Sequence, residues 1–282
     1  MRFIRVSLRE GLRRGWRELQ QVARSGEDLL GNLIWVSALL VPVWMLRDEV
    51  VPGTSASAVS YLLPSLMVMS IVFHGTFSLA QQLVADRHDG TLARLRMIPS
   101  GVQTYLVGKI TLVSAMVIIV CIVIVLAGVV FTDDIRADNL AMWGNLAWTV
   151  PLSLVAILPW GAILGLLIRS ARNVNIVLFP LLGLAALSGT FAPITGYPQW
   201  LQIVVMVFPL YWVALGARAA VLPDSFAAVE IAEGWQHLET ALVLGGWAIV
   251  GLLLAPLALR RARLRRPGTT AKATREKDMA RA

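Results

Sequence analysis

The sequence predicts an all-α membrane protein with six transmembrane helices, and three observations carry that reading. First, 57% of the 282 residues are hydrophobic, the mean hydropathy is +0.71 and only 15% are charged, against roughly 25% in an average soluble domain. That much apolar surface needs lipid to cover it. Second, the apolar residues gather in stretches that can cross ~30 Å of hydrocarbon as helices of ~20 residues. Third, Lys and Arg are confined almost wholly to alternate connections, the asymmetry that sets orientation in a membrane.

The elements follow in order. Leu8, Leu12, Trp16, Leu19 and Val22 recur at three- and four-residue spacing, with Arg9, Arg13, Arg14 and Arg17 between them. Residues 1–27 therefore read as an amphipathic helix in the inner interface, its arginines toward anionic headgroups. A cytosolic helix packed on a partner is the alternative. The segment is too long and too cationic before its apolar run for a cleaved signal, and no small-residue cleavage site follows. Spans are expected at 29–46, 59–81, 107–131, 142–168, 174–192 and 241–259. A further apolar stretch, 200–222, is preceded by Pro198 and interrupted by Pro209, so each half is too short to cross. Residues 260–282 are basic and poor in apolar residues and read as a disordered tail.

Charge fixes the topology. The amino-terminal segment, the second-to-third loop, the fourth-to-fifth loop and the tail hold all but Arg47, Arg136 and Arg218 of the 25 basic residues. Both termini are expected in the cytoplasm, with six spans between them. The net charge of +8 and pI near 10.5 are thus an orientation signal, and no nucleic-acid partner is expected. Cys121 is the only cysteine and lies in an apolar run, which excludes an intrachain disulfide and a Cys-rich metal site.

The second-to-third connection carries the most distinctive residues: Asp86, Arg87, His88, Asp89, Gly90, Thr91, Leu92, Ala93, Arg94, Leu95 and Arg96, then Pro99. Gly90 can supply a backbone conformation that other residues resist, and Pro99 stops any helix after it. Leu92, Leu95 and Ile98 would line one side of that helix, with Arg94 and Arg96 on the other. Ser100 and Gln103 have capping-box spacing for the next helix. On the residues alone this is either an ordinary charged loop or a short helix suited to being pushed by a soluble partner.

At this point the residues resemble a family, the type-2 class of ABC transporter permeases. The run Asp86 to Leu95, with Pro99 and Gly108-Lys109, is similar to the loop by which those permeases touch their ATPase subunit. A second match reads Leu187-Ser188-Gly189-Thr190-Phe191-Ala192-Pro193, then Tyr197-Pro198-Gln199-Trp200, then Phe208-Pro209-Leu210-Tyr211-Trp212, then Arg218. It is similar to that family's signature at the outer end of the fifth span. The resemblance implies that Asp86, Arg87, His88, Asp89, Gly90, Thr91, Leu92, Arg94 and Leu95 couple to an ATPase. Arg94 and Arg96 would pair with its acidic groups, and Leu92 and Leu95 would fill its groove. It implies two short re-entrant helices over about 193–222, with Gly189, Phe191, Pro193, Pro198, Trp200, Pro209, Tyr211 and Arg218 forming an outer gate. It also implies two ATPase copies, a second permease copy (identical or related), and export. Amphipathic drugs, antibiotics, lipids or lipid-linked glycans are the cargo classes. His88, Asp89 and Ala93 depart from the family, which often has acidic, basic and acidic residues there.

Absences narrow the rest. No P-loop occurs: Gly108-Lys109 is followed by Ile110, and Gln103 stands where the first glycine belongs. ATP and magnesium are therefore expected on a separate subunit, with no cofactor or metal on this chain and no catalytic residue of its own. Ionisable residues, which ion-coupled carriers place at membrane depth, are almost missing from the spans. The exception is His74 in the second span; with Thr190 it marks a candidate substrate path, the alternative being a histidine hydrogen-bonded to a neighbouring span. An intramembrane enzyme would need a nucleophile with its base, and His88 and His237 lie on opposite sides of the membrane. An ion-driven carrier and a non-transporting scaffold or sensor are the other classes. The topology has a direct check. With Cys121 replaced, a cysteine at Asp134 is expected to react with an impermeant maleimide in intact cells, and one at Arg94 is not. The reverse pattern overturns the orientation.

Overall fold

The computed structural model describes residues 2–49, 57–95, 97–132, 135, 137–168, 170–190 and 194–264. Among these there is no β-strand. The helices are α1 (Arg2–Arg24), α2 (Gly26–Met45), α3 (Ala58–Val72), α4 (Leu79–His88), α5 (Thr91–Leu95), α6 (Gly101–Phe131), α7 (Leu140–Leu167), α8 (Ala171–Ala185), α9 (Gln199–Val207), α10 (Pro209–Val221) and α11 (His237–Leu264). A π-helical turn, Phe73–Ser78, joins α3 to α4, and another, Ala186–Thr190, extends α8.

Among the described residues, five continuous helices are long and apolar enough to cross a membrane: Ala58–His88, Gly101–Phe131, Leu140–Leu167, Arg172–Thr190 and His237–Leu259. They correspond to the second through sixth expected spans. The expected first span is α2, whose apolar part, Leu30–Met45, is shorter; the full 20-residue helix reaches ~30 Å only with its polar first turn included. The broken stretch after the fifth span is the pair α9 and α10, bent by 89°. Phe208 is extended between them and Pro209 opens α10, as expected for a residue that suits a helix's first turn and not its interior.

Local caps place the ends. Ser57 accepts a bond from the backbone N–H of Ser60 at the start of α3. Asn139 accepts from Ala141 and Met142 at the start of α7, and Ser170 from Asn173 at the start of α8. These are the side chains that satisfy a helix's orphan N–H groups best. Ser100 does not behave as its spacing predicts. It sits at φ 59° with no capping bond from its side chain, because the turn after α5 folds Gly101 tightly beneath the Leu95 carbonyl.

α7 is the spine. It packs on α4, on α10 and on α11. Small residues let it approach closely: a Cβ at Gly165 would stand 2.8 Å from Leu83 Cβ, and one at Gly161 would run into the Gly75 carbonyl. All thirteen residues of α10 are buried, wrapped by α3, α7 and α11. α1 lies along α6 through Gly11 and Gly15. Its stripe of Leu8, Leu12 and Trp16 is left exposed. α11 continues through Leu264, past the expected tail boundary at 259; the rest of that tail, 265–282, lies outside the described residues.

Candidate functional site: a wired loop and a stapled far end

The second-to-third connection sits at one end of the bundle, beside α1 and the α7–α8 connection. α4 runs to His88, Gly90 takes φ 73°, and α5 follows at once. A left-handed turn there favours glycine. The two charged residues at the end of α4 point inward. Arg87 donates to the carbonyl oxygens of Gly165 (2.9 Å), Leu166 (2.6 Å) and Ile168 (2.7 Å). These lie at the carboxyl end of α7, where carbonyls lack intrahelical partners and a cation is favoured by the helix dipole.

Asp86 faces the other way. It accepts a bond from the hydroxyl of Tyr105 on α6 and lies 3.6 Å from the ammonium of Lys109. Lys109 also reaches Glu18 of α1 at 3.3 Å, and Arg14 bonds Glu18 at 2.9 Å. The Arg14 guanidinium stands 4.9 Å from the centre of the Tyr105 ring, within cation–π range. Three helices are thus tied at the base of the loop by alternating charges around one buried tyrosine.

The outward face differs from the sequence expectation. Leu92 is only 3% exposed and packs into the protein's own core, so it is not free to fill a partner's groove. Leu95 is partly buried against the same core. His88, Asp89 and Arg94 are exposed. The exposed apolar residues are Met97 (86%) and Ile98 (58%). Arg96 lies outside the described residues. Ile98 was placed with Leu92 by helical spacing, but α5 ends at Leu95, so the period breaks before it.

At the opposite end, α8 closes in a π turn in which Gly189 takes φ 73°. Ser188 donates to Leu184 O at 2.6 Å and Thr190 to Ala185 O at 2.7 Å. The Gly189 and Thr190 carbonyls accept from other helices, from Arg218 of α10 and from Ser65 of α3. Arg218 also bonds both carboxylate oxygens of Glu230, at 2.6 and 3.2 Å. Arg218 and Glu230 are 3% and 6% exposed. One guanidinium therefore joins α10, the tip of α8 and the connection into α11.

The break between α9 and α10 is met in the same way. The indole N–H of Trp212 donates to Met206 O (2.7 Å) and that of Trp247, from α11, to Val207 O (2.9 Å). Of the residues read as an outer gate, Gly189 meets Arg218, and Pro209, Tyr211 and Arg218 lie along the buried α10. Trp200 is exposed on α9 and Pro198 caps that helix. Phe191 and Pro193 lie outside the described residues. His74 is not part of this end. It sits in the π turn of the second span, bonded through Nδ1 to Ser70 O of its own helix at 3.2 Å, and Thr190 is not beside it.

Sequence reasoning missed Glu230, Glu18, Lys109 and Ser65 as parts of these networks. The signal for Glu230 was there: Arg218 is the only charged residue between Arg172 and Asp224 in the sequence, and a buried cation needs a counter-charge. Replacing Arg218 with Met is expected to cost about 3–5 kcal/mol, because it leaves Glu230 buried without its partner. The double replacement Arg218→Met with Glu230→Met is expected to cost less than Arg218→Met alone. Thermal unfolding of the detergent-solubilised protein measures both, and equal stability of wild type and Arg218→Met contradicts the staple.

The profile of the ABC-2 family transporter protein family matches residues 43–257, from the end of α2 into α11. No curated protein matches the chain. The matched region contains the wired loop, the stapled far end, four of the five long apolar helices and most of the fifth, and so the chain belongs to the ABC-2 transporter family as a multi-pass membrane permease.

Proposed function

We propose that this chain is the membrane-spanning subunit of an ATP-driven exporter, and that a separate ATPase subunit pushes on its α4–α5 loop. The observation that carries this is the wiring of that loop. Arg87 fastens it to the end of α7, and Asp86 fastens it to α6 and α1. A push on an unsupported loop would be dissipated; a push here is delivered to the spine helix. Its outward face carries His88, Asp89, Arg94, Met97 and Ile98, a mixture of charge and apolar anchors suited to a protein partner.

In this reading ATP and magnesium belong to the partner, which is present in two copies, and two permease chains pair in the membrane. Hydrolysis is the partner's chemistry, not this chain's. The basic end, with α1, the loop and both termini, faces the cytoplasm of a plasma membrane, as the distribution of Lys and Arg supports. α1 lies in the inner interface, its exposed Leu8, Leu12 and Trp16 against acyl chains. The 89° bend supports a re-entrant pair on the outer side, since a seventh crossing would carry the basic tail outside. Residues 28–259 form the transmembrane domain. The cargo is amphipathic or hydrophobic, a drug, antibiotic or lipid drawn from the cytoplasm or inner leaflet.

Because Met97 and Ile98 are exposed, changing them spares the fold. Met97→Glu with Ile98→Glu is expected to weaken association of the ATPase subunit roughly tenfold or more, the effect of losing two interface anchors worth about 1–2 kcal/mol each. Undiminished association and undiminished ATP-driven transport sink the assignment.

A further inference from the structure

A cavity of about 810 Å³ lies inside a single copy of the chain, between α1, α2, the second span and α6. Its size falls within the ~300–1,000 Å³ typical of small-molecule sites, and its two walls differ in chemistry. One wall is aromatic. Trp35 of α2 stacks on Phe73 with ring centres 4.1 Å apart and planes 15° from parallel, and meets the edge of His74 at 5.7 Å. The other wall is the charge network of Arg14, Glu18, Asp86 and Lys109.

Three features set this cavity apart from a packing gap. The second span widens into its π turn where Phe73 and His74 enter the cavity wall, and such turns are found often at functional sites. His74 is 92% removed from solvent (8% exposed), and only its Nδ1 has a partner among the described residues. The indole N–H of Trp35 has no acceptor either. Both rings line the cavity, and a buried N–H left without an acceptor, as in Trp35, is costly unless something meets it.

The charges say what that something is. Lys109 is shared between Glu18 and Asp86, and Arg14 completes Glu18. Among the described residues, these four are the charged side chains lining the cavity, two of each sign. An anion or a cation would have to break a pair to gain one. A neutral or zwitterionic headgroup can bond into the network without unbalancing it.

We propose that this cavity binds a small neutral or zwitterionic amphiphile, distinct from the phospholipid of the bilayer, its ring or tail against Trp35, Phe73 and His74 and its polar head among the paired charges. Resting on the permease reading, it is the seat that cargo occupies on the cytoplasmic side before transport. The seat is complete within one chain and needs no second copy. It touches the coupling loop directly, because Asp86 and Thr91 line it, so an occupied seat is felt at the partner's contact.

The test uses the full-length chain in phosphatidylcholine nanodiscs, with Cys121→Ala and one new cysteine at Gln82, a lining residue. Maleimide labelling is timed with N-phenyl-1-naphthylamine (neutral), tetraphenylphosphonium (cation) and anilinonaphthalene sulfonate (anion). A cysteine at Trp200, exposed at the other end, reports non-specific effects. The neutral probe is expected to slow labelling at least threefold at position 82 and not at 200, with the ions doing less. Trp35→Leu and His74→Gln, each kept only if monodisperse, are expected to abolish the protection. Lys109→Met is expected to turn the preference toward the cation. Equal protection by all three probes, protection that survives both ring variants, or no protection overturns the site. Labelling that responds to exchange of the disc phospholipid and to no probe also overturns it, the occupant then being a lipid. Met97→Glu with Ile98→Glu leaves the protection unchanged, so absence of protection in the chain with Met97 and Ile98 intact, alongside normal ATPase association, rejects the site alone. Retained protection with normal association in that double variant rejects the coupling reading alone.

Discussion

A backbone carbonyl freed where a helix stops against the rest of the protein is cut off from water and needs another donor. This protein meets that constraint with side chains from other elements. Arg87 takes the end of α7. Arg218 and Ser65 take the tip of α8. Trp212 and Trp247 take the end of α9. Each of these is a hydrogen bond that the chain must make somewhere, and making it between helices turns a local necessity into a tertiary link. The links are strong for their type, because a charged or indole donor in a dry site has nothing competing for it.

The consequence is a bundle held at both ends and packed closely between them. α7 is fastened to the second span by Arg87 at the basic end and lies against it through Gly161 and Gly165. It also supports α10, whose Arg218 holds the opposite end. In the proposed mechanism the same helix is the route by which motion at the loop reaches the far end. The cavity beside α6 shares Asp86 and Lys109 with the loop's wiring, so binding and coupling draw on one set of charges.

Much of this was legible in the residues. The apolar stretches, the break at Pro209, the turn at Gly90 and the special character of 86–95 and 187–218 all come from composition, proline chemistry and spacing. What was not legible depended on who stands next to whom. Helical spacing put Leu92, Leu95 and Ile98 on one face, yet α5 is too short to hold the period, and Leu92 turns into the core while Ile98 turns out. The leucine stripe of α1 marks its apolar face, but nothing in that spacing shows that Gly11 and Gly15 make the contact with α6, where close approach selects for the absence of a side chain. The π turn at Phe73–Ser78 leaves no mark in hydropathy; it exists beside Gly161, far along the chain from its Gly75. Glu230 read as one more acidic residue in a connection until Arg218 gave it a role.

If the loop drives the far end through Arg87 and α7, the far end must stop responding when that link alone is cut. A single cysteine at Trp200 in the permease–ATPase complex, labelled with maleimide in nucleotide-free and ATP-trapped states, reads this out. The wild-type link predicts a labelling rate at position 200 that changes with nucleotide, and an Arg87→Met variant that still binds the ATPase but shows no change. An Arg87→Met complex whose far end still responds to ATP contradicts the mechanism.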